Sequence, residues 1–557
     1  MPALWLQHFV DPQAGACSSR KMANPVNSTR RYRKGSVRLA AFLMACWVGA
    51  SMLASAPTLE AQQTSPPAPQ VAISSAVPAA DSSVLWPEPI PPASSRHVIH
   101  VGDMAIPYVA TWSSTMLKDA AGVPQATISE TSYVREGVRD RAQRPVMFAF
   151  NGGPGASSSP LHFGILGPRR FGSPDGKGGS TFIDNPQTLL DVADLVLIDP
   201  VGTGFSRELH AGGGRAYWTS EGDSKAAQTV IRDWLRENGR TTSPVYIVGE
   251  SFGGYRLAEM AKDIGDLNVV GLVLVSPGTD MSGEAGIASD QHFVFTLPSM
   301  ATTAYAQGKT QAAVRSVEQV FEEARAFAQS DYVVALQQGS ALGAQDRDRL
   351  AERMAKLIGL PASTIAAANL RIDTQEFLEQ LVPGKVVGRI DTRVAAPKPE
   401  GPLIAGRSKA ADDPALHMGA SNVIKNGRVR DYLRNEIGVK TDLDYISLTL
   451  DVNFAWDWNS GSRKLEDNLR NLNPTPNLAK LMREKSASRL LLLSGYYDLA
   501  TPVLYQRYAL THAGVPLDRT RMVAFGAGHT VYDDDMRQQV SKELHDFIAK
   551  TNAPASR

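Results

Sequence analysis

The chain has 557 residues, of which 43% are hydrophobic and 20% charged. That length allows several small domains or one large enriched one, and the composition excludes wholesale disorder. With 57 Lys and Arg against 56 Asp and Glu the formal charge is +1, which argues against a nucleic-acid binder; only two cysteines, Cys17 and Cys46, exclude a Cys-rich zinc site or a disulfide framework.

The first elements form an address segment. Residues 30–38 are densely basic, and residues 39–56 are apolar and small with no charge. That order predicts a secretory leader spanning 1–61; the apolar run is short for a transmembrane anchor. Ala56 and Ala61 are the candidate cleavage points, with Pro57 disfavouring the first. Arg30-Arg31 hints at a twin-arginine signal, Cys46 falls too early for a lipoprotein site, and Met22 is an alternative start. Removing residues 1–61 leaves 50 basic and 54 acidic residues and no cysteine. The expected destination is secreted or periplasmic, with no stable membrane span after leader removal. Residues 62–95, rich in Pro, Ser, Ala and Gln, read as a flexible spacer.

From residue 96 to 150 apolar and polar residues alternate, which predicts strands that are antiparallel at first. Solid apolar runs follow at 194–199, 245–248, 269–275 and 490–493. Runs of that length fit strands buried on both faces of a parallel sheet. Between them, Ser220 with Asp223 suggests an N-terminal capping box, and Val230, Ile231, Trp234 and Leu235 share one helical face. Strand and helix in alternation predict a doubly wound, mostly parallel α/β fold. Residues 281–445 break the rhythm. Val317, Val320, Phe321, Ala324 and Phe327, then Leu350, Met354, Leu357 and Ile358, recur at helical spacing. A mainly helical cap is therefore expected to interrupt a core of 96–280 and 446–557.

Gly249-Glu250-Ser251-Phe252-Gly253 follows one of the solid runs and precedes a helical pattern. Gly-x-Ser-x-Gly between strand and helix is a nucleophile elbow, where a tight turn presents the serine at a helix N-terminus. A serine hydroxyl needs a base, and in this architecture an acid and then a histidine follow the serine. Asp498 stands just after the run 490–493, and His529 lies in Gly526-Ala527-Gly528-His529. His545, on a C-terminal amphipathic helix, reads as a surface residue, and Asp280 is the alternative acid. Ser251 is thus the expected nucleophile, His529 the base and Asp498 the orienting acid. The oxyanion hole is expected from the Phe252 N–H and from the Gly-rich loop Asn151-Gly152-Gly153-Pro154-Gly155.

Together these segments resemble the serine carboxypeptidase family, which has the α/β-hydrolase fold. The likeness also includes Asp199-Pro200-Val201-Gly202-Thr203-Gly204-Phe205-Ser206 and Gly495-Tyr496-Tyr497-Asp498, and it runs in order from about residue 96 to 548. The resemblance implies release of C-terminal residues from peptide substrates, often at acidic pH. It implies oxyanion donors at Gly153 and Phe252, and Asn151, Gly152 and Glu250 as holders of the substrate's terminal carboxylate. No cofactor is expected, and no metal, since the histidines are scattered and there is no His-Glu-x-x-His. The chain departs from the family at Ile165, where a second glutamate is expected before Leu166-Gly167-Pro168, and at Ala156, where a cysteine is common. Arg169 or Arg170 could take over the substrate carboxylate, or serve in a structural ion pair. Trp456 and Trp458 could line a pocket or anchor the cap. An acyltransferase or an esterase using the same three residues stands as the alternative activity.

Overall fold

A nine-stranded sheet organises the chain. In chain order its strands are β1 (Ala93–Val101), β2 (Met104–Lys118), β3 (Pro124–Arg135), β4 (Val146–Phe150), β5 (Asp194–Asp199), β6 (Val245–Glu250), β7 (Val269–Val275), β8 (Arg489–Gly495) and β9 (Thr520–Phe525). Their order across the sheet is β1-β2-β3-β5-β4-β6-β7-β8-β9. The first three pair antiparallel, and β3 meets β5 antiparallel. From β5 onward every pair is parallel. This is the doubly wound, mostly parallel α/β sheet of the α/β-hydrolase fold. The computed structural model describes residues 89–174, 180–282, 289–310, 316–398, 409–419, 421–460 and 471–552. The leader expected at 1–61 and most of the 62–95 spacer lie outside the described residues.

The solid apolar runs are strands with two buried faces. Met147, Leu195, Leu197, Tyr246 and Val248 face a layer closed by Val540, Leu544 and Phe547 of the C-terminal helix Arg537–Asn552. Their neighbours Phe148, Val196, Ile198, Val245 and Ile247 face the opposite layer. There they meet Val230, Ile231 and Trp234 of the helix Ser220–Glu237 and Leu257 and Ala258 of the helix Phe252–Met260. Each such side chain contributes about 1.5–3 kcal/mol when fully buried, so the sheet is a rigid platform.

The helix Ser220–Glu237 starts differently from the expected capping box. Its cap is Thr219, whose hydroxyl accepts from the Gly222 N–H at 3.0 Å. Asp223 instead turns inward to Arg256. Between β7 and β8 the helices Gln291–Ala306, Val317–Phe327, Val333–Gln338, Ala344–Ile358, Ala362–Ala367 and Thr374–Gln380 build a core of their own. Val320, Ala324, Phe327, Leu350, Met354, Leu357 and Ile358 lie in that core. Short two-stranded ribbons also occur, Lys385–Val387 with Ala395–Pro397 and Val423–Lys425 with Ile446–Thr449. Among the described residues no helix is long and apolar enough to cross a membrane.

Candidate active site

The chain leaves β4 for β5 on one side and then returns to β6 on the other. A crevice opens at such a reversal, beyond the carboxyl ends of the strands. β4 runs into Asn151-Gly152-Gly153, and β6 ends at Glu250 with Ser251 next.

Ser251 sits at φ 60° and ψ −126°, in the left-handed half of backbone space. Its N–H donates to Val275 O at 2.9 Å, and its carbonyl accepts from the Gly278 N–H at 3.1 Å. The turn leaves no room for side chains beside it. A Cβ on Gly249 would lie 2.2 Å from Gly253 O, and one on Gly253 would lie 2.6 Å from Phe150 O. The Gly-rich loop comes equally close, since a Cβ on Gly152 would lie 2.3 Å from the Phe252 nitrogen. The Phe252 N–H opens its helix and has no acceptor one turn back.

The loop after β4 is braced from two sides. Asp199, buried at the end of β5, accepts from the Ser158 N–H at 2.8 Å, the Ser158 hydroxyl at 2.7 Å and the Tyr445 hydroxyl at 2.9 Å. Arg256 donates through Nη1 to Asn151 O at 2.6 Å while Asp223 holds its Nε at 2.6 Å.

Asp498 and His529 meet at the carboxyl ends of β8 and β9. Asp498 Oδ2 lies 2.7 Å from His529 Nδ1. Asp498 Oδ1 accepts from the N–H groups of Ala500 at 2.7 Å and Thr501 at 2.9 Å. Thr501 Oγ1 stands 2.6 Å from Asp498 Oδ2, 3.0 Å from Ser276 O and 3.2 Å from His529 Nδ1. Burial would depress the His529 pKa, but the charge and hydrogen bond of Asp498, with the charge of Glu250, outweigh it and raise the value.

The two competing residues are engaged elsewhere. Asp280 accepts from Ser282 N–H at 2.9 Å and from Asn473 Nδ2 at 3.0 Å. His545 is half-buried, against the surface position expected for it, with Nε2 3.0 Å from Asp191 Oδ1.

Glu250 is buried behind Ser251. Burial pushes its pKa up to about 7, partly offset by the His529 charge and by hydrogen bonds from Tyr532 and Asn151. The Tyr532 hydroxyl donates to Glu250 Oε2 at 2.5 Å. Asn151 Oδ1 accepts from the Leu161 N–H at 3.1 Å. Ile165 lies in the core beneath β4 and β6 and offers no polar group. Arg169 is spent on Asp184 at 2.6 Å and Glu436 at 3.3 Å, which makes it a structural ion pair, and among the described residues Arg170 reaches only the backbone of Phe171.

An aromatic shell closes one side. Phe252 stacks on Tyr255 with ring centres 4.8 Å apart and meets Trp456 and Trp458 edge-on at 4.9 and 5.7 Å. Thr501, Tyr532 and the Arg256–Asp223 pair carry no motif of their own. The available signal was that Thr501 and Tyr532 are hydroxyl residues placed three positions after Asp498 and His529.

Known proteins are similar to parts of this chain. "Serine carboxypeptidase-like 36" of Arabidopsis thaliana is 33% identical over 140 residues, 24% of this chain and 27% of that protein. "Pheromone-processing carboxypeptidase KEX1" of Pyricularia oryzae is 34% identical over 130 residues, 23% of this chain and 19% of that protein. The matched stretches thus span about a quarter or less of these curated relatives. The crystal structure of Kex1(delta)p, a prohormone-processing carboxypeptidase from Saccharomyces cerevisiae, aligns with 78% of this chain and 91% of its own at 14% identity and a TM-score of 0.46. The sequence profile described as serine carboxypeptidase matches residues 133–543, most of the chain, and the chain therefore belongs to the serine carboxypeptidase family.

Proposed function

We propose that this protein is a serine-type carboxypeptidase. Ser251 attacks the last peptide carbonyl, and His529 takes the serine proton and returns it to the departing amino acid. Asp498 orients the ring and stabilises the imidazolium. Water then attacks the acyl-enzyme through the same base. The Phe252 and Gly153 N–H groups receive the oxyanion, a contribution of about 3–4 kcal/mol per donor. Asn151, Gly152 and Glu250 hold the terminal carboxylate of the substrate.

The observation that carries this reading is the buried Glu250 next to the elbow serine. A carboxyl with a pKa near 7 keeps its proton at acidic pH and can donate to a carboxylate. Once ionised it repels that carboxylate. Binding of a free-acid substrate therefore weakens as pH rises through about 7, while catalysis requires neutral His529 and fails toward low pH.

A second reading has one observation in its favour. Ile165 supplies no second carboxyl, so the same three residues would serve an esterase if terminal-carboxylate recognition is lost. The leader sequence supports export as part of the same proposal.

One experiment separates the readings. The purified protein is given a blocked dipeptide with a free C-terminal carboxylate, and its C-terminal amide, from pH 4 to 9, with Ser251→Ala as control. Release from the free acid alone, with KM rising about tenfold per pH unit above 7 and no release by the variant, is the expected outcome. Equal turnover of both compounds, or turnover of simple esters only, would sink carboxypeptidase action. Adding a competing alcohol or amine measures acyl transfer against hydrolysis in the same assay.

A further inference from the structure

We infer that Tyr532 is the positioning residue of the carboxylate clamp, holding one oxygen of Glu250 so that the other presents its proton to the substrate. The inference rests on the role proposed above for Glu250.

Both side chains are buried, Tyr532 being 2% and Glu250 3% exposed, so water does not compete for their hydrogen bond. The phenol donates to Oε2 at 2.5 Å. The ring reaches Glu250 only because residue 164 is glycine. A Cβ there would lie 2.3 Å from Tyr532 Cε2 and 2.7 Å from Cδ2. The Gly164 carbonyl is in turn held by Arg537 Nε at 2.8 Å. Next to this glycine, Ile165 points into the core at the position where a second glutamate was expected. The partner that Glu250 lacks on the helical turn His162–Leu166 thus arrives from the loop after His529.

A phenol and a carboxyl are not equivalent partners. A second carboxyl can accept as well as give a proton. Tyr532, whose pKa burial pushes well above its ordinary value, acts at working pH only as a neutral group with its own proton. It donates to Oε2 whether Glu250 is ionised or not. In the protonated acid the proton is then left on Oε1. The hydrogen bond favours the carboxylate, so its loss raises the Glu250 pKa further. The other groups facing Glu250 are His529, Asp498 and Asn151, with Arg537 facing Tyr532 and Arg389 facing His529. Tyr532→Phe leaves all of these in place.

The test uses the full chain with Tyr532→Phe and, separately, Gly164→Ala, whose methyl would push the ring off Glu250. KM and kcat are measured for the free-acid and amide dipeptides from pH 4 to 9. At pH 5 the preference for the free acid should fall about tenfold, through KM and not kcat. The pH at which KM for the free acid begins to climb should move upward. A residue that only fills space would affect both substrates alike and leave that break where it was. Circular dichroism identifies a variant that fails to fold, and Gly164→Ala then decides. If the unaltered enzyme discriminates between acid and amide, while a folded variant keeps its preference within twofold and its break unmoved, the inference alone is overturned. If the unaltered enzyme does not discriminate, the Glu250 reading falls and the inference with it.

Discussion

Asp498 has no exposed surface, and an ionised carboxylate there needs every lone pair answered. The N–H groups of Ala500 and Thr501 answer one oxygen, and His529 with the Thr501 hydroxyl answers the other. Thr501 is therefore part of what keeps the acid aimed. Thr501→Val keeps the backbone donor and the shape but removes the hydroxyl. kcat for the free-acid dipeptide should fall about tenfold with KM steady, the size of one hydrogen bond to a charged group. A kcat within twofold of the parent would mean that the two backbone donors suffice. The turn at Ser251 and the Asp498–His529 pair were legible in the sequence because tight glycine turns and chain order mark them. Thr501 and Tyr532 were not, because their roles depend on which side chain each meets across a loop. Arg169 stayed open between a substrate clamp and an ion pair for the same reason. Its partners Asp184, on the strand Ser180–Asp184 paired with its own, and Glu436, on the helical segment Leu433–Ile437, are announced by no local pattern.

At the scale of elements, one buried ion pair ties three segments together. Arg256 on the elbow helix is held by Asp223 on the helix Ser220–Glu237, through Nε at 2.6 Å and Nη2 at 3.1 Å. It passes that support to the Asn151 carbonyl at the end of β4. Burying two charges is costly, and removing one partner leaves the other stranded. Asp223→Ala should therefore cost about 3–5 kcal/mol of unfolding free energy in urea. Glu221→Ala, on the same helix, breaks only the exposed pair with Lys225 and should cost less than about 1 kcal/mol. Equal losses for the two variants would refute the bracing role. The strands and helices themselves were readable from period and run length. The exact helix start was not, because Thr219 and Ser220 are both good caps and only Asp223's capture by Arg256 decides between them. The short ribbons escaped notice because three or four residues carry too little pattern.

Across the whole molecule, buried titratable groups set how stability depends on pH. Glu130, deep in the sheet with one carboxyl oxygen unpartnered among the described residues, and Glu250 are both raised from 4.5 to about 7, chiefly by burial. A raised acid lends its full stability below the unfolded value of 4.5 and loses it as pH climbs through about 7. Buried Asp199 and Asp223 are raised too, again by burial against their hydrogen bonds and cations. Raised His529 and His545 act in the same sense, favouring the fold below 6.5. His162 works in the opposite direction. It is buried against Tyr133, its pKa lowered to about 3, so it weakens the fold as pH drops from 6.5. Between pH 4.5 and 6.5 the two glutamates outnumber this histidine. The net effect of these three groups is a loss of stability as the solution becomes less acid. Unfolding in urea should thus require more denaturant at pH 5 than at pH 7.5, and Glu130→Gln should flatten the slope without touching the clamp. A stability that rises from pH 5 to 7.5 would mean that the buried glutamates are ionised in the fold. It would also remove the protonated carboxyl on which terminal-carboxylate binding depends, so the stability curve and the KM profile must stand or fall together.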